Sequence, residues 1–284
     1  MDMTVNELFS GDLPPIKKMI SLKTGVTLRV FTFPAQEPQE GYPDILLVPG
    51  WISVMDGWAE VLREMRKDFT IHYVETREKK SSLVVSDSGM GVADIAADLR
   101  QVIVELDMPD KRFVLLGSSL GATAILDMLT GFPEKKPMAL VLINPNARFR
   151  DPLVWKIIIS LFYPPFYVLL KPVIKWYLRV FRMKVSADRA QYDKYCHALD
   201  LADPVKLKKA AMSLWSYRVW GKLESVAVPA LVIGASQDSL HEPESIERMV
   251  TLLPDVKYVD MHTNTETHSR EMVAEVRRFL AELD

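Results

Sequence analysis

The chain has 284 residues, enough for one large domain with a substantial buried core. Its composition is that of an ordinary globular protein, and a net charge of −2 offers no electrostatic footprint for nucleic acid. A single cysteine, Cys196, excludes an intrachain disulfide and fits a reducing, cytoplasmic setting.

The first residues lack the basic-then-apolar order of a secretion signal, and no uninterrupted apolar run reaches the roughly 18 residues of a membrane span. Met19 to Leu22 and Thr27 to Phe33 read as an opening hairpin, with Thr24-Gly25 as its turn. Ile45 to Val48 is fully apolar, so it reads as a buried strand, ending at Pro49-Gly50-Trp51. Trp58, Val61, Leu62 and Met65 mark a helix face, and Phe69 to Val74 is the next strand. Glu75 to Gly91 is polar and reads as a long loop. Val92, Ile95, Leu99, Val102, Ile103 and Leu106 make a helical stripe. Phe113 to Leu116 is a buried strand, and Ala122 to Met128 a helix stopped by Gly131 and Pro133. Met138 to Ile143 is another strand. After a long helix-like segment come a strand at Ala230 to Gly234 and a helix lined by Ile246, Met249, Val250 and Leu253. Val256 to Met261 is the last strand, and Met272 to Leu280 the last helix, with Ser269 as its N-cap.

Strands alternating with helices, several of them short and fully apolar, predict an α/β fold with a mostly parallel central sheet and helices on both faces. Ligands of such sheets bind at the carboxyl ends of the strands. Ser119, Trp51, Asp238 and the last loop all follow strand ends and are expected to converge.

Gly117-Ser118-Ser119-Leu120-Gly121 is a G-x-S-x-G pentapeptide between a strand and a helix. That is the setting of a nucleophile elbow. The two glycines are needed because side chains there would strike the neighbouring strand and helix. Ser119 is then held at the tip of the turn, and the Leu120 N–H at the helix N-terminus faces a developing oxyanion. A serine hydroxyl needs a base, and the base needs an orienting carboxylate. Behind an elbow the order is Ser, acid, His. Asp238 follows a strand end where the acid belongs; Glu242 and Glu244 suit the first turn of the next helix instead. His72 lies inside a strand, His197 in the helix-like segment, and His241 almost adjacent to Asp238. His262 and His268 remain. His268, in the loop before the last helix, is favoured as the base, with His262 in reserve. The second oxyanion N–H is assigned to Trp51, after the glycine at which the backbone can turn.

With these residues the chain resembles the α/β-hydrolase superfamily, and within it the serine carboxylesterases and lipases with a helical cap. The resemblance covers most of residues 19–146 and 222–284. The family often has His-Gly where this chain has Pro49-Gly50, an Asp and a Gly-rich turn where it has Glu75-Thr-Arg-Glu-Lys-Lys, and Gly-His where it has Thr267-His268. The resemblance implies a core of residues 1–146 and 222–284 and a helical cap at 147–221. Charge marks the same boundary: residues 147–221 hold 14 Lys/Arg and 5 Asp/Glu, against 21 and 32 elsewhere. Pro164-Pro165 must break any helix there. Its apolar faces can pack on the core and on one another, and its aromatics with scattered Lys and Arg also suit an acyl pocket or an anionic membrane surface. The expected activity is cleavage of carboxylic esters with a medium or longer apolar acyl chain, through an acyl-enzyme on Ser119 and without cofactor or metal. The alternatives are an acyltransferase, thioesterase or peptidase with the same triad, or a non-catalytic lipid- or protein-binding member. The expected partner is an ester or lipid-like small molecule, with peripheral membrane contact through the cap and no nucleic acid.

Overall fold

Short apolar runs favour strands covered on both faces, and the computed structural model assembles them into one sheet. The structure describes residue 9 and residues 13–85, 88–130, 135–149, 153–161, 163–183, 185, 186, 188–238 and 242–283, without the side chains of 153–155 and 158. The expected helix stop at Gly131 and Pro133, and His241, lie outside the described residues.

The strands are β1 (Ile16–Ser21), β2 (Val26–Phe33), β3 (Asp44–Val48), β4 (Ile71–Glu75), β5 (Leu83–Val84), β6 (Phe113–Ser118), β7 (Ala139–Ile143), β8 (Ala230–Gly234) and β9 (Val256–Asp260). Their order is β1-β2-β4-β3-β6-β7-β8-β9, with β5 also paired to β2. The β1–β2, β2–β4 and β2–β5 pairs are antiparallel, and every pair from β4 to β9 is parallel. The β1–β2 hairpin turns at Gly25, whose φ of +77° favours glycine.

Alternate residues of the apolar strands feed two cores. Leu46, Val48, Leu115, Leu140 and Val232 pack with α2 (Val92–Glu105), α3 (Leu120–Leu129) and α8 (Pro243–Leu252). Ile45, Leu47, Leu116, Val141 and Ile233 pack on the other face with α1 (Ala59–Met65) and α9 (Arg270–Ala281). The Ser269 hydroxyl caps α9, accepting from the Met272 N–H at 3.4 Å.

The segment read as a long loop after β4 contains β5, and its charges turn inward. Glu75, Arg77 and Glu78 are buried. Arg77 meets Asp98 of α2 at 2.7 and 2.6 Å, and Arg29 reaches Glu75 at 2.9 Å. Paired in this way, the charges tolerate burial.

Between β7 and β8 the chain is helical. It forms α4 (Leu153–Leu161), a 3-10 turn at Pro164–Phe166, α5 (Tyr167–Tyr177), a π-turn at Leu178–Arg182, α6 (Arg189–Leu201) and α7 (Pro204–Leu214). Pro164 and Pro165 fall in the break between α4 and α5, and Pro172 lies within α5.

Candidate active site

Ser119 stands between β6 and α3 with φ +50° and ψ −115°. A non-glycine residue there carries strain of about 1–3 kcal/mol, which the surroundings must hold in place. The Ser119 N–H donates to the Ile143 carbonyl at 2.8 Å. The flanking glycines leave no alternative. A Cβ on Gly117 would lie 2.6 Å from the Ala122 nitrogen, and one on Gly121 would lie 2.2 Å from the Val48 carbonyl oxygen. The Asn146 side-chain amide donates to Ser119 Oγ at 2.8 Å. Thr123 fixes Asn146, its hydroxyl donating to the Asn146 carbonyl at 2.9 Å.

The loop after β3 runs beside the serine; a Cβ on Gly50 would be 3.2 Å from the Ser119 Cβ. The Gly50 carbonyl accepts from the Ser53 N–H at 3.1 Å and from Lys79 Nζ at 2.6 Å. In a planar trans peptide the N–H points opposite to the C=O. Lys79 and Ser53 therefore aim the Trp51 N–H away from themselves. The Leu120 N–H is the first of α3.

Asp238 follows β8 and is 5% exposed. Its carboxylate accepts from Gln191 Nε2 at 3.1 Å and from Asn264 Nδ2 at 3.2 Å. His268 lies in a 3-10 turn, Glu266–His268, after β9. Its Nδ1 is 3.1 Å from the Asn264 carbonyl and 3.0 Å from Thr267 Oγ1. The Thr267 hydroxyl already donates its proton to the Asn264 carbonyl, at 2.8 Å. Both oxygens near Nδ1 are thus acceptors, so Nδ1 carries the imidazole proton and Nε2 is the basic nitrogen. Asn264 links Asp238 to the histidine turn, with its amide on the acid and its carbonyl on the imidazole. The His268 ring rests on Trp58 with centroids 4.5 Å apart, and Trp58 Nε1 donates to Ser53 Oγ at 3.0 Å. A continuous set of contacts therefore runs from Ser53 in the loop after β3, through Trp58, His268 and Asn264, to Asp238.

His262 sits differently. Its ring is 3.1 Å from Asp260, and its side chain is 66% exposed. His72 is beside Thr32 at 3.0 Å, and His197 meets Asp56 at 3.0 Å.

Helices α6 and α7 pack on these loops. Asp188, the N-cap of α6, accepts from the Thr265 hydroxyl at 2.8 Å, and Lys206 of α7 donates to the Lys79 carbonyl at 2.7 Å. Lys194 of α6 lies 5.8 Å from the centre of the Trp58 ring. Desolvation lowers its pKa to about 8, against the opposing pull of Asp56, Asp188 and Asp238. A shift of that size, discounted for the part of the side chain still accessible, costs about 1–2 kcal/mol of stability at neutral pH. The charged form carries this cost below pH 8. The cost fades as pH rises toward 10.5, where the unfolded chain also loses the proton. Lys194→Met is therefore expected to be more stable than the parent at pH 7, with a smaller gap at pH 10. Urea midpoints at the two pH values measure this, and a less stable variant at pH 7 contradicts it.

A cavity of about 200 Å³ opens beside Trp51 between the core loops and α6–α7. Its lining includes the apolar Ile52, Val54, Leu201 and Leu207 and the charged Glu78, Lys79 and Lys80.

The sequence pattern does not single out Asn146, Asn264, Gln191 or Lys79, which touch Ser119, Asp238 and the Gly50 carbonyl. Asn146 follows a strand end and could have been found there; the other three reach the site only through long-range packing.

A model of the alpha/beta hydrolase family matches residues 45–275. No curated protein matches the sequence. Similar solved structures include a hydrolase from Pseudomonas aeruginosa PA01, with 16% identity, TM-score 0.75, and coverage of 94% of this chain and 97% of that one. An esterase from Rhodococcus sp. ECU1013 has 17% identity, TM-score 0.74, and coverage of 96% and 100%. The enol-lactonase from Burkholderia xenovorans LB400 has 16% identity, TM-score 0.74, and coverage of 93% and 100%. At these identities the likeness is one of fold.

Proposed function

The chain belongs to the alpha/beta hydrolase family, and on that premise we propose that it hydrolyses carboxylic esters through an acyl-enzyme on Ser119. One observation carries the reading: a strained Ser119 at φ +50°, between two glycines with no room for a Cβ, beside the Gly50 loop.

In this mechanism Ser119 Oγ attacks the ester carbonyl carbon, and its proton passes to His268 Nε2. The Nδ1–H keeps its proton and donates it to the Asn264 carbonyl, which holds the ring in the required tautomer. Asp238, tied to the same turn through Asn264, stabilises the imidazolium charge. The tetrahedral oxyanion is held by the N–H groups of Trp51 and Leu120. Losing one such donor typically costs about 10²–10³ in rate. The bond from carbon to the alcohol oxygen then breaks, and the alcohol leaves with the proton from His268. Water, deprotonated by His268, attacks the acyl-enzyme; the acid leaves and Ser119 recovers its proton.

The cavity of about 200 Å³ is below the usual range of ligand pockets. Trp51 lines it and Ser119 does not; on the reading that its apolar residues take the acyl chain, a medium-length chain is expected over a long one. A panel of p-nitrophenyl esters tests this. The highest kcat/KM is expected for medium chains, above both acetyl and hexadecanoyl. A maximum at acetyl contradicts the acyl assignment, and no turnover of any ester contradicts the activity.

A further inference from the structure

Helix α5 faces the wrong way for a helix of a water-soluble surface. Such a helix buries its apolar stripe and exposes its charges. In α5 and the π-turn after it, Val168, Leu169, Val173, Trp176, Val180 and Phe181 are exposed, and Leu169 is 71% accessible. Positions 168, 172, 176 and 180 follow one another at four-residue spacing, with 169 and 173 alongside, so they share one face. The opposite side turns to α6. Tyr167 is buried there and donates its hydroxyl to the Leu199 carbonyl at 2.8 Å. Lys175 pairs with Asp200 at 2.7 Å, and Lys171 donates to the Asp200 carbonyl at 2.9 Å. The lysines hold the helix to the protein, and the apolar stripe is left outside. Leu161 at 80% exposure and Phe166 at 56% extend the stripe toward α4. Of 21 exposed large apolar side chains among the described residues, ten fall within residues 157–181. They are thus concentrated in one stretch of the chain, and apolar exposure of that kind marks contact surfaces.

We propose that this face of α4, α5 and the π-turn docks on an anionic lipid surface, lying in the plane of the membrane. Charge selects the occupant. Residues 152–187 contain six Lys/Arg and no Asp/Glu; outside the Lys171 and Lys175 pairs with Asp200, this segment still carries Lys156, Arg179, Arg182 and Lys184. That balance suits anionic headgroups, with Trp and Tyr at the interface and aliphatic side chains below it. It opposes a second copy, because a symmetric contact would set two cationic segments against each other. Among the described residues no helix is long and apolar enough to cross a membrane. The docking needs no chemistry at Ser119, so it stands or falls separately from the esterase reading.

The test is co-sedimentation of the full chain with phosphatidylcholine vesicles, with and without phosphatidylglycerol. The parent protein, Ser119→Ala and the double variant Leu169→Glu with Val173→Glu are compared. Both replaced side chains are exposed, so the fold is expected to persist, and circular dichroism and hydrolysis of a soluble ester check it. The parent and Ser119→Ala are expected to pellet with phosphatidylglycerol vesicles, less with phosphatidylcholine alone and less at high salt. The double variant is expected to lose partitioning by about tenfold to a hundredfold. Equal recovery of the parent in the supernatant with and without vesicles overturns the proposal. So does equal pelleting of parent and double variant. A parent that ignores vesicles but forms dimers broken by the double variant assigns the face to a second copy and also overturns it. A second double variant, Val168→Ser with Trp176→Ser, carries the same expectations if the first fails to fold.

Discussion

His268→Ala is expected to lower kcat for a soluble ester by at least about 10³-fold, whereas His262→Ala stays within about twofold of the parent. Two histidines follow the last strand, and their surroundings separate them. His268 has its Nδ1 proton fixed by the Asn264 carbonyl and Thr267 Oγ1, its ring set on Trp58, and its turn tied through Asn264 to Asp238. Its Nε2 is left as the basic atom. His262 is exposed and pairs with Asp260, whose carboxyl hydrogen bonds from Ser236 and His262 hold below the usual carboxylate range despite desolvation. Steady-state kinetics of the two purified variants settle the choice. Equal losses in both, or a greater loss at His262, contradict the assignment.

Ser119→Ala is expected to cost as much as His268→Ala, with KM little changed. On the proposed mechanism the serine supplies the bond-forming oxygen and the histidine moves its proton, so neither works without the other. Residues that act as one unit show non-additive losses. The Ser119→Ala, His268→Ala double variant is therefore expected to be no slower than either single variant. Alanine keeps the Cβ of serine, so the elbow keeps the same steric demands. Losses that multiply in the double variant would show that the two residues act separately.

Much of the fold is readable from local pattern. Fully apolar tetrads such as Ile45 to Val48 become central strands because both faces of the sheet are covered. The glycines at 117 and 121 announce the elbow because the clash they avoid is local to the turn. What escapes the sequence depends on distant partners. The charged run after β4 reads as solvent-facing loop, yet Arg29 and Asp98, far away in the chain, take its charges inside. The same holds for Lys79, whose partner is the Gly50 carbonyl, and for Gln191, which reaches Asp238 from α6. Helix α5 is a different case. Its apolar stripe is visible as a period, but burial of that stripe is the default expectation. The Tyr167 contact to Leu199 and the Lys171 and Lys175 contacts to Asp200 reveal which side faces the protein.

The central claim is an activated serine at the elbow. Its most direct measurement is intact mass after incubation with a fluorophosphonate, which bonds to a nucleophilic serine and releases fluoride. One adduct on the parent protein and none on Ser119→Ala is the predicted result. A folded parent that takes no adduct, or a Ser119→Ala protein labelled as fully as the parent, would contradict it.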